Sequence, residues 1–227
     1  QYLDFSYEAG KVSKITDCAG RSVQYEYDGD LLTAVTYPNG GTMRYQYDTR
    51  GLIISVTDQN GINYLVNSYD EKGRVIRQDL ANGEEHVFLY NDSRRQTTYH
   101  NLQSGRSTVY HYNDQKQAVK TEYDDGTYQE FEYDQWGNRI LEKNRSGEIT
   151  RWTYRQDGKL VRQELPSGLI WEFEYDDRGN QVHWWNNDGE EFFAQFDERN
   201  NCVREEQVID AMRRRVQTYQ YDRLGRM

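Results

Sequence analysis

Aromatic and polar residues alternate in short bursts along this chain: Tyr25-Glu26-Tyr27, Tyr45-Gln46-Tyr47, Phe131-Glu132-Tyr133, Trp152-Thr153-Tyr154, Phe173-Glu174-Tyr175 and Tyr219-Gln220-Tyr221. A period of two, rich in rings, marks a half-buried β-strand with its rings on one face. Asp or a close substitute follows the last ring of a burst, and Gly stands four places after that ring. The ring falls at Tyr7, Tyr27, Tyr47, Tyr69, Tyr90, Tyr112, Tyr133, Tyr154, Tyr175, Phe196 and Tyr221, at intervals of 20, 20, 22, 21, 22, 21, 21, 21, 21 and 25. Eleven copies of one unit run through the chain, so a residue is read first by its place in the repeat.

After the aromatic strand, Asp can bond backbone N–H groups two residues on, and Gly accepts the positive φ of a tight turn. The copies vary: Asp28 precedes the shorter Gly29-Asp30, Lys116 stands where Gly is expected after Asn113, and Asn200 takes that place in the tenth copy. A second strand follows, as in Arg74-Val75-Ile76-Arg77-Gln78 and Lys159-Leu160-Val161-Arg162-Gln163. Its column three after the Gly position holds Ile54, Ile76, Thr97, Val119, Ile140, Val161, Val182 and Val203, a β-branched column that supports a strand. Its neighbouring apolar residues point to opposite faces, which leaves open whether a bulge resets the register.

A second turn then closes the unit at Asn39-Gly40, Asn60-Gly61, Asn82-Gly83, Ser104-Gly105, Asp125-Gly126, Ser146-Gly147, Ser167-Gly168 and Asp188-Gly189. Such dipeptides between alternating strands are a strong hairpin signal. Pro38 and Pro166 each sit just before one of these turns, where a missing N–H does no harm. The final interval of 25 replaces the expected Gly turn, over Val208 to Arg215, with a longer loop or a short helix.

The expectation is an all-β fold: tandem hairpins in one antiparallel meander of about twenty strands, spanning 1–227 as a single array without a domain break. Strands lie about 4.8 Å apart, so the strip would be roughly 100 Å wide. An open twisted sheet of that width curls, splits or closes. The sheet is therefore expected to curve until its aromatic face meets another part of itself or of a parent protein. A β-propeller with two repeats per blade fits less well, since eleven copies make five and a half blades.

Composition narrows the function. The chain is very polar (mean hydropathy −1.10), yet 14% of its residues are aromatic, so it can bury rings and fold. A net charge of −10 disfavours nucleic acid, which needs a basic footprint. The one basic run, Arg213-Arg214-Arg215, reads as a solvated loop. No apolar run reaches the roughly 18 residues of a membrane-spanning helix. The chain opens and stops in mid-pattern and is read as part of a larger protein. Its end strands are expected to expose sheet edges, where pairing with another chain would be a truncation artefact. Cys18 and Cys202 lie at different points of the repeat and nine repeat positions apart, so a disulfide is not expected.

Tyr69-Asp70-Glu71-Lys72-Gly73-Arg74 and Tyr221-Asp222-Arg223-Leu224-Gly225-Arg226 are the fullest copies of the motif. Tyr27-Asp28, Tyr47-Asp48 with Gly51, Tyr133-Asp134 with Gly137, and Tyr175-Asp176 with Gly179 are partial ones. Tyr-Asp-x-x-Gly-Arg followed by an apolar strand and Asn-Gly, at this spacing, resembles the Rhs/YD-repeat family. The resemblance implies a ribbon of hairpins spiralling into a hollow shell. In bacterial Rhs proteins, wall-associated polymorphic toxins and insecticidal toxin complexes such a shell encloses a toxic C-terminal segment; in teneurins it serves adhesion. By that likeness the parent is a secreted or cell-surface bacterial protein, and the partners of this segment are the rest of its chain and a C-terminal cargo. The Asp-Pro-x-Gly-Leu motif of self-cleaving members is absent, so no protease residues carry over.

Candidate chemistry reduces to scaffold. His86 shares a column with Val23, Met43 and Leu65, and His111 one with Glu26, Gln46 and Ser68, so both are repeat positions. His100 and His183 have no partner at metal-ligand spacing. Adjacent acids such as Glu84-Glu85 point to opposite strand faces and do not form a glycosidase pair. Equivalent Asp residues in successive repeats are about 9.6 Å apart, too far to share a calcium ion. Fourteen of the twenty tyrosines fall in two columns, ten at the Tyr-Asp position and Tyr25, Tyr45, Tyr110 and Tyr219 two places earlier, which assigns them to packing. Trp184-Trp185 is the exception, because consecutive strand residues face opposite ways and one indole leaves the aromatic face. With Trp136 in a turn, these indoles are the candidate glycan contacts. The expected function is a non-enzymatic wall segment without cofactor or metal, and the alternative is an adhesion or carbohydrate-binding module. Choline-binding wall anchors also use aromatic repeats of about 20 residues, but pair Gly-Trp with Trp-Tyr-Tyr clusters, an order this chain lacks.

Overall fold

The computed structural model describes residues 2–210, 212–223 and 225–227. Among them are 21 β-strands and no helix, and the strands belong to one antiparallel sheet. Contacts divide the chain into two units, Gln1–Tyr110 and His111–Met227.

In the first unit the strands are β1 Leu3–Glu8, β2 Lys11–Asp17, β3 Ser22–Asp28, β4 Leu31–Thr36 and β5 Thr42–Tyr47. They continue as β6 Ile53–Thr57, β7 Asn63–Tyr69, β8 Val75–Leu80, β9 Glu85–Asn91 and β10 Gln96–Asn101. Strand β11, Arg106–Tyr112, spans the boundary. The second unit holds β12 Ala118–Tyr123, β13 Tyr128–Tyr133, β14 Arg139–Lys143, β15 Ile149–Tyr154 and β16 Leu160–Glu164. It ends with β17 Ile170–Tyr175, β18 Gln181–Asn186, β19 Glu191–Phe196, β20 Cys202–Val208 and β21 Arg214–Thr218. Within each unit every strand pairs with its chain neighbours, so the meander read from the alternation is the observed topology.

A bulge does reset the register, and it falls in the β-branched column. Gln46 opposes Ser55 while Tyr47 opposes Ile53, leaving Ile54 as the extra residue. The same shift leaves out Ser13, Thr33, Ile76, Ile140, Val161, Val182 and Val203 in the hairpins β1–β2, β3–β4, β7–β8, β13–β14, β15–β16, β17–β18 and β19–β20. A bulge bends its strand and increases local twist, so the same bend is built into one hairpin after another. The pair β9–β10 runs in register without one, Thr97 opposite Tyr90.

In most copies both turns of the repeat are three-residue loops of type I form with the left-handed residue last; Ala9-Gly10 and Gly29-Asp30 are two-residue turns. At the Asn-Gly turn Tyr37 N–H donates to Gly41 O (2.9 Å) and Gly40 N–H to Tyr37 O (2.9 Å), and of Asn39 and Gly40 only the glycine has positive φ (82°). Lys116 (φ 62°) and Asn200 (φ 63°) adopt the backbone that Gly holds in the other copies. The long final interval is a loop: β20 ends at Val208, β21 begins at Arg214, and Ile209 N–H donates to Arg213 O (2.9 Å). Ala211 in that loop and Leu224 in the last motif lie outside the described residues.

Burial is shallow. Ala34, Val35, Val56 and Ala194 are the buried apolar residues, joined by Ser55, Thr121 and Asn186, and no large side chain among the described residues is fully buried. Sheet pairing, ring contacts and turn bonds must therefore supply most of what a thick core supplies elsewhere.

Candidate functional site

The recurring motif builds a joint between successive hairpins. A bulge leaves a backbone carbonyl outside the ladder, and that carbonyl needs a donor. In six copies the Tyr of the next repeat is placed to provide it. Tyr47 donates its hydroxyl hydrogen to Leu32 O (2.7 Å), Tyr69 to Ile53 O (2.5 Å), Tyr90 to Val75 O (2.7 Å), Tyr133 to Ala118 O (2.9 Å), Tyr175 to Leu160 O (2.9 Å) and Tyr27 to Val12 O (3.1 Å). Where the bulge is mapped, the acceptor is the residue just before the extra one. Packing alone does not account for this column, because a phenylalanine would pack and leave the carbonyl bare. The signal was present in the sequence as ten tyrosines against one phenylalanine, Phe196.

The Asp after the ring locks its own turn. Asp48 Oδ1 accepts from Arg50 N–H (2.9 Å) and Leu52 N–H (3.0 Å), and Asp70 from Lys72 and Arg74 N–H (both 2.9 Å). Asp134 accepts from Trp136 and Asn138 N–H (both 2.9 Å), and Asp176 from Arg178 (3.0 Å) and Asn180 (2.8 Å). Asp222 accepts from Arg226 N–H (3.0 Å). Gly51, Gly73, Gly137, Gly179 and Gly225 hold the left-handed position of these turns. Asp28 differs, because its turn is the two-residue Gly29-Asp30 and the strand simply ends there, opposite Leu31. Tyr221 is half-buried.

These clamps set the charge state of the turns. The Leu52 amide is the main cause holding Asp48 below the ordinary carboxylate range, and the Arg74 amide does the same for Asp70. The Arg155 guanidinium holds Asp157 lower still, at about 2.

The residue after the glycine completes the joint. Arg74 pairs with Asp70 in its own turn (2.8 Å) and Asp92 in the next (2.7 Å), and its guanidinium lies 4.1 Å from the Tyr90 ring centre. Lys159 stands in the same way 5.2 Å from the Tyr175 ring, and Lys11 5.8 Å from Tyr27. Further staples run along this margin: Arg50 donates to Asp70 O (2.8 Å), Gln117 to Gly137 O (3.0 Å) and Asn180 to Asn200 Oδ1 (3.0 Å).

The tryptophans are not brought together. Trp136 stands 56% exposed at the end of β13, five strands from β18, which carries Trp184 and Trp185. Trp184 lies opposite Phe173 and Phe192, stacked on Phe192 (5.5 Å, 9°) and tilted against Trp171 (5.2 Å). Trp185 points to the other face, opposite Glu172 and Glu191, beside His183 (4.5 Å). No three of these indoles form a single platform. Among the described residues, no group of three or more His, Cys, Asp or Glu side chains is placed to hold a metal ion. No described helix is long and apolar enough to cross a membrane.

One family model agrees with the repeat. The RHS repeat model matches residues 7–42 and 29–62. Among solved structures, that of TcdB2-TccC3 is 13% identical, aligned over 98% of this chain and 17% of its own, with a TM-score of 0.46. That of TcdB2-TccC3-Cdc42 is 12% identical over 98% and 19%, with a TM-score of 0.47. A Photorhabdus luminescens Tc holotoxin pore is 12% identical over 98% and 19%, with a TM-score of 0.34. The chain spans less than a fifth of the length of each. No curated protein matches it.

Proposed function

We propose that this chain, built of RHS repeats, is a non-enzymatic wall segment of a larger exported protein, in which a single repeat array encloses a C-terminal cargo polypeptide. The observation that carries the reading is the joint. Its tyrosine hydroxyl and following cation reach the neighbouring hairpin and its aspartate clamps the turn between the strands, in both units, so the most distinctive chemistry of the chain goes into continuity. The bulge recurs in eight of the mapped hairpins, β9–β10 excepted, and each bends its strand, which suits a curving wall.

In the full-length protein, removing residues 1–227 is expected to open the polypeptide that follows the repeats to added protease, while the intact protein protects it. Equal resistance with and without the segment would end the enclosure reading. The purified segment is expected to be inactive on nucleic acid, peptide and glycan substrates.

Adhesion through glycans is the second reading, favoured by the exposed indole of Trp136. A glycan array, repeated with Trp136, Trp184 and Trp185 changed to Ala, separates the two. Saturable binding that is lost in the variants favours adhesion.

A further inference from the structure

Hairpin turns of the first unit carry Asn before Gly at their exposed tips: Asn39-Gly40, Asn60-Gly61 and Asn82-Gly83. This pair has a chemistry of its own. The amide nitrogen that follows an asparagine can attack the side-chain Cγ, and glycine, with no Cβ, puts nothing in the way. A bond forms between Gly N and Asn Cγ, the Cγ–Nδ2 bond breaks, and ammonia leaves with the amide proton, closing a succinimide ring. Water then opens the ring at either carbonyl and leaves Asp or isoaspartate. Nothing but water enters the balance. Between one such turn and the next, the difference is how firmly the fold holds the reacting atoms.

The nucleophile is engaged in every case. Gly40 N–H donates to Tyr37 O (2.9 Å), Gly61 N–H to Asp58 O (3.1 Å) and Gly83 N–H to Leu80 O (2.9 Å). The turn must open before nitrogen can reach Cγ, so the rate follows the ease of local opening. Here the three part company. Asn39 follows Pro38, whose ring fixes its own φ. Its Nδ2 donates to Gln59 Oε1 of the following Asn-Gly turn (3.1 Å), and its Oδ1 accepts from Gly41 N–H (3.0 Å). Asn60 sits in a turn clamped by Asp58, which accepts from the Asn60 (2.8 Å) and Ile62 (2.9 Å) amides and from Asn60 Nδ2 (3.3 Å). The third turn has Leu80 in the place of Asp58 and Ala81 in the place of Pro38, so it has neither a carboxylate clamp nor a rigid ring. Asn82 Oδ1 accepts from Glu84 N–H (3.1 Å), while its Nδ2, the leaving group, has no partner among the described residues. Asp125-Gly126 and Asp157-Gly158 compete poorly, because a carboxylate resists attack. The Thr127 hydroxyl and the Arg155 guanidinium hold those two acids below the ordinary carboxylate range.

We propose that Asn82-Gly83, in the β8–β9 turn, is a spontaneous deamidation site of the folded chain and converts to Asp and isoaspartate ahead of Asn39 and Asn60. Isoaspartate adds a methylene to the main chain inside the loop that Leu80 N–H and Glu84 O close (2.9 Å), so the hairpin loosens where the modification falls. The proposal goes beyond the wall function and does not depend on it.

The test is ageing of the 227-residue chain in mildly alkaline buffer, folded or in concentrated urea. Peptide mass spectrometry follows the mass gain and the split into Asp and isoaspartate forms at each asparagine. In the folded chain Asn82 is expected to convert about fivefold faster than Asn39 or Asn60. In urea the three rates are expected to agree within about twofold, since the turns no longer hold them. Gln59→Ala releases Asn39 Nδ2 and is expected to speed conversion at Asn39 about threefold while leaving Asn82 unchanged. Equal rates in the folded chain, or Asn39 or Asn60 in the lead, would overturn the proposal. So would an intact Asn82 over a period in which the urea-treated chain converts. An order that survives in urea would assign it to neighbouring sequence instead of the fold, and an unchanged Asn39 in Gln59→Ala would remove the side-chain hold on which the order is argued. Far-UV circular dichroism checks that the variant folds, and the comparison of folded with urea-treated wild-type chain decides the matter if it does not.

Discussion

The hydroxyl of the Tyr-Asp tyrosine is a residue-scale device with a residue-scale test. Phe196 is the one copy without it, and by the spacing of the other joints its para position faces Gln181 O, the carbonyl just before the extra residue Val182. Phe196→Tyr is therefore expected to stabilise the chain by about 0.5–1 kcal/mol, and Tyr47→Phe to destabilise it by about 1 kcal/mol, in urea titrations followed by circular dichroism. If both changes are neutral, the hydroxyl bond contributes nothing and the column is packing alone. A second case is Lys116, held at φ 62° where most copies have glycine. Lys116→Gly is expected to gain about 1 kcal/mol, since a Cβ in the left-handed region is strained. Asn200→Gly should gain less, because asparagine tolerates that backbone.

At the scale of the hairpin, the strands, their order and the place of the turns were legible in the sequence, and the form of the turns was not. Alternation locates a strand because side chains on a pleated strand take opposite faces, and this needs no knowledge of neighbours. The Asn-Gly dipeptide marks a turn but does not say whether one or two residues take positive φ; Asn39 stays on the ordinary side and the loop gains a residue. The bulge was hidden for a related reason. An extra residue shows only against the partner strand, and Ile54 looks like any β-branched strand residue until Tyr47 is found opposite Ile53. The aspartate clamps carry the pH dependence of the hairpin. Asp48 and Asp70 are held below the ordinary range by their turn amides, and Asp157 near 2 by Arg155. A depressed folded-state pKa contributes stability that is present above the unfolded value, about 3.9, and is lost as pH falls through the folded value. Urea midpoints are thus expected to hold from pH 7 to about 4 and to drop between about pH 4 and 2. Asp70→Asn should blunt that drop, since the amide oxygen keeps the turn bonds without a titrating charge. A midpoint flat down to pH 2 would show that the clamps do not contribute to stability.

At the scale of the molecule, sequential pairing makes each hairpin answer mainly to its two neighbours. Such an array behaves as a one-dimensional sum of unit stabilities and interface terms, so damage at one joint should stay local. The Tyr69–Asp70 joint is a suitable place to break, since Tyr69 bonds back to Ile53 O and Asp70 clamps the turn before β8. In the double variant Tyr69→Phe with Asp70→Ala, amide hydrogen exchange is expected to quicken in β6 to β9 and to stay at wild-type rates in β14 to β18. Wild-type protection in those distant strands means that stability is written joint by joint. A wall section that tolerates a local breach follows from that, as does a chain whose repeat number can change without redesign. Protection lost together across both units would show one cooperative globule, and the array reading that supports the wall function would fall with it.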